Sequence, residues 1–205
     1  MDLDITNEDI ENIETAIKAG GKIWDNDILK DFKRKIKDYN RFIQAQQCCY
    51  CRRSLADEFN MVIDIEHVLP KNHFKHFMFE TFNLSVSCKR CNMEIKGEDI
   101  SFITDLTAVN ATPQDTKLYR LIHPNLDDYF EHISYIVRTA NAKSIVKYKI
   151  IGDSLKGDFT YRYFDLSEIE SETYNQAQGI KVSDKLSEKI PTAKAKRIQN
   201  LLKGK

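Results

Sequence analysis

The sequence predicts an α+β protein whose core is two short strands and a helix stapled by a metal ion, on three observations. All five cysteines fall between Cys48 and Cys91, four of them as two Cys-x-x-Cys steps. Short β-branched runs lie between those steps, and a helical stretch follows the second one at once. Helical periodicity precedes this region, whereas β-rich and then helical runs follow it. Three stretches result: an N-terminal helical segment at 1–47, a stapled core with a following helical segment at 48–132, and a C-terminal small antiparallel sheet plus helices at 133–205.

A chain of 205 residues can bury a sizeable core. Its hydrophobic fraction of 41% is ordinary for a soluble protein, and no apolar run approaches the length of a membrane span. A cytoplasmic protein without a membrane partner is therefore expected. Lys plus Arg number 31 and Asp plus Glu number 31, so the formal net charge is +0. Neutralising phosphates supplies most non-specific affinity for nucleic acid, so a protein that grips a phosphate backbone unaided usually carries a basic surplus. Neutrality points to a partner that shares the grip.

In chain order, Ile10, Ile13 and Ile17 recur at helical spacing behind Thr6, a candidate cap, and Gly20-Gly21 ends that helix. Asp25 is expected to cap a second helix, with Ile28, Leu29, Phe32, Ile36, Tyr39 and Ile43 on its buried side. Lys30, Lys33, Arg34, Lys35 and Lys37 face other ways; a solvated face is the commoner reason for such a run, approach to DNA the alternative.

Cys48-Cys49-Tyr50-Cys51 and Cys88-Lys89-Arg90-Cys91 offer four thiolates in two pairs, which suits a tetrahedral Zn²⁺ with Zn–S bonds of about 2.3 Å. Cys49 is then the spare. A disulfide framework would need an oxidising compartment, and the odd cysteine count and a start that does not read as a secretory signal argue against it. Val62, Ile63 and Ile65 read as a short strand that delivers Glu66 and His67 to its end, before Pro70. Phe82 to Ser87 reads as a second strand, and Asn92 to Lys96 begins a helix directly after the second cysteine step.

Glu66-His67, then Asn83, then Asn92 directly after Cys91, with Lys96-Gly97 following, resembles the HNH endonuclease family and its ββα-metal fold. The runs from Ile65 to Lys71, Asn83-Leu84 and Cys91 to Gly97 are most similar to the PtuB-type nuclease subunits of Septu anti-phage systems and to related retron effectors. His123 to Asp128, with His132 four residues on, resembles a segment that follows the motif there. The resemblance covers roughly Cys48 to His132. It implies that His67 is the general base, that Glu66 and Asn92 are ligands of a catalytic Mg²⁺ or Mn²⁺, and that Asn83 holds the loop that orients His67. It also implies an ATPase partner subunit. Elementary chemistry agrees with the base, because an imidazole titrates near neutrality. Glu66 stands where the family more often has Asp or His, and Asn92 where it often has His; both are oxygen donors, which favours a hard ion.

Asp64 precedes Glu66 by two residues and is a candidate additional ligand, with a structural role equally open. Arg52 and Arg53 after the first cysteine step, Lys89 and Arg90 inside the second, and Lys96 on the helix are candidate phosphate contacts. His73 and His76 read as loop residues.

Thr112-Pro113 is expected to open a helix through Tyr119 and Leu121. His123-Pro124 with Asp127-Asp128 reads more readily as a packed turn than as a ligand site. Strands are expected at Ile133–Val137, Ile145–Ile151 and Phe159–Phe164, with Gly152 and Gly157 at turns, and helices at Glu168–Gln178 and Ser183–Leu202. After Glu188 only basic charges remain. Three functions compete: a metal-dependent nuclease acting on DNA before RNA, an RNA-cleaving effector with the same site, and a non-catalytic zinc ribbon that binds nucleic acid. A pure zinc ribbon has no need of the acid and histidine pair.

Overall fold

The computed structural model describes residues 2–56, 58, 63–140 and 143–170. Helices and two small antiparallel sheets make it an α+β protein. Thr6 caps α1 (Asn7–Ala19) in a reciprocal box with Asp9. Asp9, itself buried, also takes the Lys35 ammonium at 2.6 Å, which fastens α1 to the next helix. That helix, α2 (Lys30–Ile43), starts later than Asp25: two single 3₁₀ turns, Ile23–Asp25 and Asp27–Leu29, come first, and Asn26 caps the second of them. The detour carries Trp24 across the molecule to the end of the first strand.

Strand β1 (Ile63–His67) pairs antiparallel with β2 (Leu84–Cys88), with His67 opposite Leu84 and Asp64 opposite Ser87. The Arg90–Lys96 helix follows directly, wound with the wider π spacing, and Gly97 ends it at φ 47°. Gln44, at the end of α2, acts as one more strand residue on the free edge of β2. Its carboxamide donates to the Val86 carbonyl at 2.9 Å and accepts from the Val86 amide at 2.9 Å and the Ser85 hydroxyl at 2.8 Å.

After the core, the chain departs from expectation twice. The helix expected behind Pro113 is absent; α3 (Leu106–Ala111), capped by Asp105, ends just before it, and Thr116–Leu118 is one 3₁₀ turn. Asp105 accepts from both the Thr107 and Ala108 amides, so the capping chemistry lies ahead of the proline. Helix α4 (Tyr129–His132) then leads into β3 (Ile133–Ala140), which pairs with β4 (Lys143–Ile150). The third strand expected at Phe159–Phe164 is instead the end of α5 (Leu155–Tyr163). Ser154 caps α5 by accepting from the Gly157 amide, and Gly157 packs so closely that a Cβ there would stand 2.6 Å from the His132 carbonyl oxygen. Packing against α4, not β propensity, decides this segment. The expected terminal helices lie outside the described residues beyond a turn at Leu166–Glu168, as does the basic tail.

One apolar cluster runs from Cys48 to Ile169, so the C-terminal hairpin and α5 share a core with the cysteine steps. Tyr50 stacks on Phe164 at 4.2 Å between ring centres, and the Tyr148 hydroxyl donates to the Cys51 carbonyl at 2.6 Å. A second, smaller cluster gathers Phe32, Ile36 and Leu84 with Trp24, Ile65 and Phe79.

Candidate metal centre and active site

Cys48, Cys51, Cys88 and Cys91 are all buried, and their sulfurs lie within 4.8 Å of one another. The Cys51 and Cys88 sulfurs are 3.8 Å apart, far beyond a disulfide bond and equal to the roughly 3.8 Å edge of a tetrahedron with Zn–S bonds of about 2.3 Å. Four soft thiolates fit a structural Zn²⁺. Cys49 is buried too but stands outside the quartet, its amide donating to the Val86 carbonyl at 3.0 Å.

His67 sits at the end of β1, 8% exposed. Its Nε2 lies 3.1 Å from the Met78 carbonyl oxygen. A carbonyl only accepts, so Nε2 carries the proton and Nδ1 keeps the free lone pair. The loop that supplies Met78 is braced by buried Asn83, whose carboxamide accepts from the Leu69 amide at 2.6 Å and donates to the Leu69 and Phe77 carbonyls at 3.1 and 3.0 Å. The Trp24 ring stands edge-on to the imidazole, 4.4 Å between centres. Burial, aided by the charges of Lys71 and Lys96 and opposed by the Met78 carbonyl, lowers His67 from 6.5 to about 3.

Glu66, next on the strand, points the other way. It is fully buried and its Oε1 accepts from the Lys96 ammonium at 2.8 Å and from the Tyr50 hydroxyl at 3.0 Å. Lys96 also donates to the His67 carbonyl at 3.0 Å, which ties the end of the Arg90–Lys96 helix to the end of β1. Burial pushes the Glu66 carboxyl up while Lys96 and Tyr50 hold it down. Glu66 Oε2 has no hydrogen-bond partner among the described residues. The expectation that Glu66 is an open ion ligand therefore meets a carboxylate already engaged by a buried cation. Asp64 and Asn92, in contrast, meet at 3.3 Å on the wall of a cleft of about 830 Å³, which Trp24, Ile65 and Lys71 also line. A carboxylate and a carboxamide on an open wall are hard oxygen donors that fit Mg²⁺ or Mn²⁺, with coordination positions left for water and phosphate.

Most of the expected phosphate contacts have partners within the fold. Lys96 is buried in its pair with Glu66. Arg90 donates to the Phe164 and Asp165 carbonyls at 2.8 and 2.9 Å and so holds the end of α5. Arg52 lies over the Tyr129 and Phe130 rings, and Arg53 pairs with Glu58 at 3.7 Å. Lys89 alone of the five stays by the cleft wall, 3.8 Å from Asp64 and half exposed. His123 is fully buried against Tyr119 and Phe82, and burial lowers it to about 3; the packed-turn reading fits this placement. His132 contacts the Ser154 hydroxyl at 2.7 Å.

Sequence reasoning missed Trp24, Gln44 and Tyr50. Trp24, as the chain's one tryptophan, was the most legible of them; Gln44 carries no local signal.

No protein-family model matches the chain, and no solved structure does. The chain is similar to the Septu protein PtuB of Bacillus thuringiensis, at 24% identity over 170 residues that take in 83% of this chain and 53% of that protein. It spans about half the length of the curated relative it matches. Among the described residues no helix is long and apolar enough to cross a membrane.

Proposed function

We propose that this chain is a metal-dependent nuclease of the HNH type, with a ββα-metal core, acting as the effector subunit of an anti-phage defence complex with an ATPase partner. Similarity to a Septu protein supports the defence role, and the chemistry of the site supports the nuclease. The observation that carries the reading is His67: one ring nitrogen held on the Met78 carbonyl, the other left as a proton acceptor, on the same strand as the Asp64 that meets Asn92 at the cleft. His67 would take the proton from the water that attacks phosphorus, through Nδ1. Asn83 would keep the ring in that orientation by holding the loop that ends in Met78. Asp64 and Asn92 would hold the divalent ion, which when bound supplies charge stabilisation to the phosphoryl and leaving oxygens. Glu66 and Lys96 would fix the strand end and the helix end against each other behind that pair.

DNA is the preferred substrate in this reading. The +0 net charge leads to weak cleavage by the isolated chain and stronger cleavage with its partner. The test is cleavage of plasmid DNA, and of RNA in parallel, by the complex purified from its native cell, across a Mg²⁺ and Mn²⁺ titration. Metal-dependent cutting that Asp64→Asn abolishes supports the proposal; no cutting of either substrate under any of these conditions overturns it.

A further inference from the structure

The cleft that contains Asp64 and Asn92 has α2 as its opposite wall. Lys30, Lys33, Arg34 and Lys37 recur at i, i+3, i+4 and i+7 and therefore share one face of that helix, while Phe32 and Ile36 are buried on another. All four line the cleft, and Lys71 joins them from the loop after β1. The lining holds five cations against four acids, Asp25, Asp38, Glu98 and Asp64 itself. A divalent ion on Asp64 would tip that balance further toward an anion. The cationic stripe from Lys30 to Lys37 is about 10 Å long at helical rise, which matches about three base-pair steps of axial rise in a duplex.

The partners these cations now have are exchangeable. Lys30 pairs with Asp27 at 3.0 Å and Arg34 with Asp31 at 3.1 Å, both on the solvent-exposed helix surface where such pairs contribute little. Lys33 donates to the Trp24 carbonyl at 3.1 Å, and Lys37 to the Ile63 carbonyl at 2.7 Å. The Lys33 contact uses one ammonium hydrogen of three. The cations expected to meet phosphate, by contrast, are mostly engaged within the fold.

We propose that this cleft is a track for a phosphodiester backbone, in which Lys33, Arg34, Lys37 and Lys71 neutralise the phosphates that flank the one presented to Asp64 and Asn92. The proposal rests on the nuclease reading above and assigns its substrate grip to α2. The phosphates of DNA and of RNA offer the same chemistry.

The test is fluorescence anisotropy of the full chain, zinc-loaded and without added Mg²⁺ or Mn²⁺. Probes are labelled 20-mers of double-stranded DNA, single-stranded DNA and single-stranded RNA, titrated across salt concentration. The double variant Arg34→Glu with Lys71→Glu is compared with Arg138→Glu with Lys149→Glu. The latter lie on the exposed face of the β3–β4 hairpin and make the same charge change. The cleft variant is expected to bind at least tenfold more weakly and to lose roughly two phosphate contacts from its salt dependence. The hairpin variant should stay within about twofold of wild type. Circular dichroism and zinc content confirm that both fold. The probe that wild type binds best identifies the nucleic acid. Equal losses in both variants, no loss in the cleft variant, or no binding of any probe by wild type at low salt overturns the proposal. Failure of the nuclease reading is separate: it would be the absence of metal-dependent cutting even where binding depends on the cleft.

Discussion

Replacing Glu66 by alanine would leave the Lys96 ammonium, 2% exposed, without its carboxylate. Breaking one side of a buried ion pair typically costs about 3–5 kcal/mol, so Glu66→Ala should lower the urea midpoint severely. A Glu66→Leu with Lys96→Met double variant, which buries no charge, should recover much of that loss. An unchanged midpoint for Glu66→Ala would show that the pair does not form. Asp64→Asn is expected to behave in the opposite way, because Asp64 lies on the cleft wall: stability near wild type, cleavage lost. His67→Ala separates function from folding again. In the proposed mechanism its Nδ1 acts only when a proton leaves the attacking water, so cleavage should fall by roughly 10²–10⁴-fold while zinc content stays that of wild type. A folded, zinc-loaded His67→Ala that cuts at the wild-type rate would remove His67 from the site.

At the scale of elements, α5 shows what the sequence could not reveal. Phe159 to Phe164 is aromatic and carries a threonine, a composition that suits a strand, yet Ser154 caps a helix whose third residue, Gly157, lies against the His132 carbonyl. Gly157→Ala would force a backbone shift there, and overpacking of this kind costs about 1–3 kcal/mol. The check is a lower thermal midpoint for Gly157→Ala, with Gly152→Ala as a comparison that meets open space despite its own turn strain. The strand pair and the four cysteines were legible because the spacing of two Cys-x-x-Cys steps and a β-branched run are local signals. The bracing residues were not. Gln44 reaches β2 across 42 residues of sequence and Trp24 reaches His67 across a similar gap, and no periodicity encodes such contacts. The side chains around Glu66 illustrate the same limit: strand alternation turns it away from neighbouring His67, but no local signal shows that Tyr50 and Lys96 engage it while Asp64, two residues earlier, lines the cleft.

Across the whole molecule, the four cysteines lie inside the main core and not at its edge. The hairpin touches the first cysteine turn through Tyr148, and α5 touches it through Phe164, while Arg90 binds the end of α5 from the second turn. Loss of the metal should therefore unfold residues on both sides of the centre. Cys48→Ser or Cys88→Ser should abolish cooperative melting, whereas Cys49→Ser should melt as wild type does; elemental analysis that finds no zinc would end this account. Acid should destabilise the fold as well. His67 and His123 are both lowered from 6.5 to about 3, each chiefly by burial. The unfolded chain takes up protons on both below about pH 6.5, while the folded chain resists until about pH 3, so unfolding consumes protons in between. Stability is then complete above pH 6.5 and falls as pH drops. The slope approaches roughly 1.4 kcal/mol per pH unit for each histidine, or about 2.7 for the pair. Urea unfolding between pH 7.5 and 5.5, with a dye that reports released zinc, measures this directly. His123→Asn, which keeps an acceptor for the Asn125 amide that His123 Nδ1 now takes at 3.3 Å, should reduce the slope by about half. A urea midpoint that does not move over this range while zinc stays bound would mean that both imidazoles are open to protons in the folded protein, contrary to their packing beneath Trp24 and against Tyr119.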